Sequence, residues 1–221
     1  MVLQTRSEDR VRVLNDLAQN DPRGAETALG DLAEKEGEGA LLDLMEQSSP
    51  LSLANILSAH DASRETILSY LVTPEQIART LAMEPARWQK IKEEEIGSTI
   101  RQMEDLIISL LINREETERR EVIEAIRREE LAFTSLLVSL FRADFHNLPE
   151  DLFEVKINTP EMIWWWIYSA SPEIAEEICN IFLERRINPY QEIVSLREEA
   201  LAHLQEEAEQ KIKEADMFQP L

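Results

Sequence analysis

The residue types that most often carry out chemistry are scarce in this chain. It has three histidines, His60, His146 and His203, and one cysteine, Cys179. Asp144-Phe145-His146 sets a carboxylate and an imidazole two positions apart, and both can ligate a divalent metal. The pair has no third or fourth ligand at a recognised spacing. A single cysteine excludes an intramolecular disulfide framework and a cysteine-rich zinc site. Cys179 stands in Ile178-Cys179-Asn180-Ile181-Phe182, where a small apolar packer is expected. The chain contains no glycine-rich phosphate loop, nucleophile elbow or cysteine–histidine pairing. The sequence therefore points to no catalytic residue, no cofactor and no metal site, and the expectation is a protein that is not an enzyme.

Aromatic chemistry is concentrated instead. Met162-Ile163-Trp164-Trp165-Trp166-Ile167-Tyr168 places three tryptophans in a row. Consecutive helical residues point about 100° apart, so three in series cover most of a helix circumference. Two readings follow. The helix is central in the core, or one of its faces meets a partner; tryptophan is enriched at binding hot spots.

The net charge of −21 over 221 residues argues against nucleic acid, whose phosphates require a basic face. It also disfavours an anionic membrane surface. An acidic surface suits basic protein patches or divalent cations, and it keeps a protein in solution. The run from Met162 to Tyr168 is far too short to cross a bilayer. Met1-Val2-Leu3-Gln4-Thr5-Arg6 turns charged too early for a signal peptide. The expectation is a soluble, cytoplasmic protein with no nucleic-acid partner and no membrane insertion.

The elements that hold these residues read as helices throughout. Only five glycines occur, none after Gly97, and no segment alternates with period two, so the fold class is all-α. Thr73-Pro74-Glu75, Thr159-Pro160-Glu161 and Ser171-Pro172-Glu173 each precede an apolar run at helical spacing. A hydroxyl accepts the first free amides, proline fits the first helical position, and glutamate favours the positive helix end. Gln76 completes a capping box with Thr73. The order of short helices predicts an armadillo-like stack. N-terminal helices occupy 1–47, a module 48–95, a long charged linking helix 96–130, and a C-terminal module with an acidic tail helix 131–221. The linking helix would carry Glu115–Arg119, Glu116–Arg120 and Glu124–Arg128 pairs at i, i+4, each worth a few tenths of a kcal/mol, roughly.

Two stretches carry a resemblance. Ser48-Ser49-Pro50-Leu51-Ser52-Leu53-Ala54-Asn55-Ile56-Leu57-Ser58 resembles the middle domain of the flagellar motor-switch protein FliG family, in which a Glu-His-Pro-Gln motif precedes an Ala-x-Ile-Leu-Ser helix. Pro50, Ala54, Ile56, Leu57 and Ser58 match, while Ser48, Ser49 and Leu51 replace the Glu, His and Gln. In that family the motif contributes to the surface holding the next rotor protein, so the resemblance points to Pro50, Leu51, Asn55 and Ile56. Glu154-Val155 and the stretch Ile163 to Arg186 are similar to the C-terminal domain of the same family, where a Leu-Ala-Leu-Ala-Leu-Lys-Gly-Ala helix precedes the charged torque helix. Ile163, Ile167, Ala170, Ser171, Glu173, Ile178 and Arg185 fit. Tyr168 stands for the lysine, Ser169 for the glycine, and the downstream acidic pair falls near Gln191-Glu192.

The resemblance implies a divergent, non-catalytic scaffold. Trp164, Trp165 and Trp166 would be its hot spots, with Glu184, Arg185 and Arg186 in the place of the torque-helix charges. Its partners would be other proteins, flagellar or envelope-apparatus components among them, or second copies of the chain. The cytosolic N-terminal domain of the MgtE magnesium-transporter family shares the middle-domain pattern and is acidic too. That likeness implies the alternative, a divalent-cation-sensing regulatory domain.

Overall fold

The computed structural model describes residues 7–59, 73–88, 91–148, 155–156, 158–184 and 187–217. Every regular element among them is helical, so the all-α class holds. In chain order the helices are α1 (Ser7–Asn20), α2 (Pro22–Glu36), α3 (Glu38–Gln47), α4 (Pro50–Ala59), α5 (Pro74–Met83) and α6 (Ile96–Leu111). They continue with α7 (Glu116–Arg128), α8 (Glu130–Ser139), α9 (Pro160–Ala170), α10 (Pro172–Glu184) and α11 (Pro189–Met217), and short 3-10 turns occupy Glu84–Arg87 and Glu93–Glu95. Among the described residues no helix is long and apolar enough to cross a membrane. The turn at 60–63, the helix expected around Ile67, Leu68 and Leu71, and the element expected from Pro149 lie outside the described residues.

Local chemistry sets most boundaries. The Asp21 carboxylate accepts from the Gly24 amide at 3.0 Å and Pro22 opens α2. Gly37 joins α2 to α3 alone, at a φ of +89° that L side chains rarely adopt. At Thr73 the capping box forms as expected: the Gln76 amide donates to Thr73 Oγ1 at 3.3 Å and the Thr73 amide to Gln76 Oε1 at 2.9 Å. Asn188 Oδ1 accepts from the amides of Tyr190 and Gln191 at 3.1 and 3.4 Å to start α11. The second mark behaves differently. The Thr159 hydroxyl turns back to donate to the Lys156 carbonyl at 3.0 Å, and no side-chain cap forms on α9.

The segment expected as one long linking helix over 96–130 is instead α6, α7 and the start of α8. The chain breaks after Leu111, where the Arg114 amide bonds to the Leu111 carbonyl at 3.2 Å, and again at Glu129, which is extended. Glu118 Oε2 accepts from the Glu115 amide at 3.1 Å and so restarts the helix as α7. The charge pattern concealed a buried stripe, Val122, Ile123, Ala125 and Ile126. Of the three expected ion pairs, Glu116–Arg120 and Glu124–Arg128 approach to 3.9 and 4.0 Å. Arg119 goes elsewhere.

The core is centred on α5. Ile77 and Leu81 are fully buried, and the helix packs on α4, α7 and α8. The Ser135 hydroxyl of α8 donates to the Leu81 carbonyl at 2.9 Å inside this contact. One buried apolar cluster runs from Leu14 to Leu196, through the helices on both sides of α7. The first half of α11 closes it with Ile193 and Leu196, and Arg197 Nε donates to the Trp88 carbonyl at 2.8 Å. Residues 205–210, farther along α11, are exposed all round.

Candidate interaction surface

α9 is held from behind by two arginines of α7, and a third holds α10. The Arg120 Nε donates to the Ala170 carbonyl at 2.7 Å, satisfying one of the carbonyls that a helix end leaves open. The Arg119 guanidinium lies 5.3 Å from the centre of the Trp166 ring while its Nε donates to the Leu111 carbonyl at 3.2 Å. Burial there depresses the Arg119 pKa, opposed by the Glu116 carboxylate. Arg127 reaches α10, where its Nε and Nη2 each donate to the Glu177 carboxylate at 2.8 Å.

The tryptophan run is thereby split among three environments. Trp164 is buried, and its indole N–H has no hydrogen-bond partner. Burial raises the Cys179 pKa, and the Trp164 indole partly opposes this. Trp166 is half-buried under Arg119. Trp165 is half-buried on the outer side, packed edge-on against Tyr168 at 5.5 Å. Tyr168 stacks on Trp164 at 5.1 Å and remains 45% exposed. Neither a fully central helix nor a fully exposed face describes α9. It lies at the edge of the core with Trp165, Tyr168 and Ser169 outward.

On α10 the inner residues Ile174, Ala175 and Ile178 are buried. Phe182 stacks on Phe145 at 4.4 Å and meets Phe141 edge-on at 5.9 Å, which fixes the far end of the helix. Glu173, Glu176, Glu177, Asn180, Ile181 and Glu184 line a shallow groove of about 460 Å³ on the outer face. Leu183 borders this face and is 48% exposed. Tyr168 and Leu183 are the exposed large hydrophobic residues among those described, and both stand on this helix pair.

The residues singled out in the sequence fall into two groups. Pro50 opens α4, Leu51 and Asn55 are partly buried, and Ile56 is buried at 1% exposure, in contact layers with α1, α2 and α5. The principal packing of α9 is with α6, α7 and α10, so the Pro50–Ile56 group and the tryptophans do not build one surface. Glu184 is exposed at the end of α10, and Arg185 and Arg186 lie outside the described residues. Sequence reasoning missed Tyr168, Leu183 and the acidic face. Glu173, Glu176, Glu177 and Glu184 at steps of three, four and seven were its visible signal.

The remaining polar candidates have local roles. Asp144 accepts from the His146 amide at 3.1 Å and from Asn147 Nδ2 at 2.8 Å, the Asn147 contact leading in holding its carboxyl below the ordinary range. It closes a turn. His203 Nδ1 lies 3.7 Å from Glu207 Oε1 along α11, and His60 lies outside the described residues. Among the described residues no group of three or more His, Cys, Asp or Glu is placed to hold a metal ion.

Comparison with known proteins gives one weak relative. Over 123 residues the chain is 26% identical to "Adaptation to cold protein B" of Shewanella oneidensis, a match covering 55% of this chain and 49% of that protein. The chain thus spans about half the length of the relative it matches. No family model matches, and no solved structure does.

Proposed function

We propose that this chain is a non-catalytic, cytoplasmic helical scaffold that binds other proteins through the outer face of α9 and α10. One observation carries the reading. The exposed large hydrophobic residues among those described, Tyr168 and Leu183, gather on this one helix pair beside the half-buried Trp165. Aromatic residues held rigid by stacking, at the edge of a well-packed body, have the character of interface anchors. The armadillo-type stacking and the likeness to the flagellar motor-switch family belong to this proposal, and they suggest rotor or envelope-apparatus proteins as partners. The relative's name concerns cold, which supplies a growth condition for the test.

The test is affinity capture of the tagged chain from its own cells, grown cold and at ordinary temperature, with a Tyr168→Ser/Leu183→Ser variant alongside. Proteins recovered with the unaltered chain and lost with the variant are expected. Recovery of the bait alone at both temperatures would overturn the scaffold reading.

A further inference from the structure

We infer that the occupant of the α9–α10 face is a positively charged amphipathic helix supplied by another protein. The inference rests on the scaffold reading and adds the chemistry of the partner. Its geometry follows from the seam between the two helices. α9 and α10 pack on each other, with Trp164 on the one near Cys179 on the other. Tyr168 and Leu183 each stand one turn on and about 40° round from those two residues, Tyr168 toward the turn at Ser171 and Leu183 toward the far end of α10. Trp165 and Tyr168 toward one end and Leu183 toward the other therefore mark out the length of the seam. An apolar stripe bordering a crevice between two helices is the shape that accepts the apolar face of a third.

Charge selects the occupant. Beyond Leu183 the surface of α10 becomes Glu176, Glu173 and Glu184, which line the groove with Asn180. Glu177 is taken by Arg127, whereas among the described residues no cation pairs with Glu173, Glu176 or Glu184. A second copy would bring the same carboxylates against these, and like charges juxtaposed in an interface weaken it. An anionic membrane or nucleic acid is repelled for the same reason. A helix with lysine or arginine beside an apolar stripe matches both the seam and its acidic border.

The full chain is titrated with two labelled model peptides that share one leucine stripe, one with lysine and the other with glutamate on the polar face. The lysine peptide should bind at least about tenfold more tightly, and added salt should narrow that margin. Tyr168→Ser/Leu183→Ser should weaken its binding about tenfold or more. Glu176→Lys/Glu184→Lys should do the same with an unchanged melting temperature, since both side chains are exposed and neither stands in the first turn of α10. The matched reversal Glu93→Lys/Glu94→Lys, on an exposed 3-10 turn elsewhere, should leave binding within about twofold. Equal binding of the two peptides, equal loss from the two charge reversals, or no loss from Tyr168→Ser/Leu183→Ser overturns the inference. If only the partner chemistry is wrong, cellular capture still depends on Tyr168 and Leu183 while the peptides show no charge preference. If the scaffold reading is wrong, capture returns the bait alone.

Discussion

α5 and α9 open on the same tripeptide, Thr-Pro-Glu, and end in opposite situations. α5 has modest apolar content, yet it is the hub of the core, with Ile77, Ala78, Thr80, Leu81, Ala82 and Met83 all buried. α9 carries three tryptophans and a tyrosine in succession, yet it lies at the edge. The difference is one of size. A central helix touched on several sides needs short side chains, and α5 supplies alanines where α4, α7 and α8 converge. Three indoles in series leave no room for neighbours to close on every side, so α9 takes α7 behind it, α10 beside it and solvent in front. Apolar content tells how much surface a helix wants to bury, and side-chain volume decides whether it can sit in the middle.

The largest effect that sharpens this contrast is Leu81→Ala. The side chain is fully buried against tightly packed neighbours, so the loss should be about 2–5 kcal/mol by urea denaturation. Tyr168→Ser, at 45% exposure, should stay within about 1 kcal/mol. Comparable losses at the two positions would remove the distinction between hub and edge.

The helical class was legible because glycines are few and apolar residues recur at helical spacing. The cap at Thr73 was legible because Gln76 stands three residues on. The long linking helix was misread because Glu115, Glu116 and Glu118 look like an exposed face, whereas the nearby stripe Val122, Ile123, Ala125 and Ile126 is only four residues wide. Arg119 was assigned to Glu115 by spacing alone. Its choice of Trp166 depends on a helix more than forty positions away, which local periodicity does not report. The acidic face of α10 was readable in principle, but a glutamate row looks the same whether it is simply solvated or borders a binding seam. Tyr168 was noted as the end of the aromatic run and as a departure from a family lysine, and its exposure is set by the bulk of its own neighbours.

A second comparison concerns pH, and its effect is smaller because a partner shares the cost. Glu104 on α6 is 4% exposed; its Oε2 accepts from Arg142 Nη1 at 2.8 Å, while its Oε1 is buried without a partner. Burial raises its pKa, with Asp105 and Glu161 adding to the rise and Arg142 opposing it. The folded state thus holds this proton more tightly than the unfolded chain does. The stability it contributes is present below the unfolded glutamate pKa and is lost as pH rises through the raised folded value. Glu104→Gln removes that titration, so the stability of the variant relative to the parent should increase from acidic to neutral pH. A difference between the two that stays flat with pH, in paired thermal melts, would show that Arg142 cancels the burial cost.

The finest test returns to the shared tripeptide. The Thr73 hydroxyl accepts the Gln76 amide, and the reciprocal bond from the Thr73 amide makes the start of α5 doubly tied. Thr73→Ala should cost about 1 kcal/mol, within the range for lost N-caps. The Thr159 hydroxyl serves the Lys156 carbonyl outside α9 and caps nothing, so Thr159→Ala should cost under about 0.5 kcal/mol. Position three explains the asymmetry. α5 offers Gln76 there, a side chain that reaches back, whereas α9 offers Met162, which cannot. Thr159→Ala combined with Met162→Gln leaves that claim intact if stability stays level. Thr159 with Met162→Gln alone should instead gain up to about 1 kcal/mol, provided the hydroxyl swings round to the amide. No gain in urea melts would mean that the turn before α9, and not the missing glutamine, holds Thr159 away from its helix.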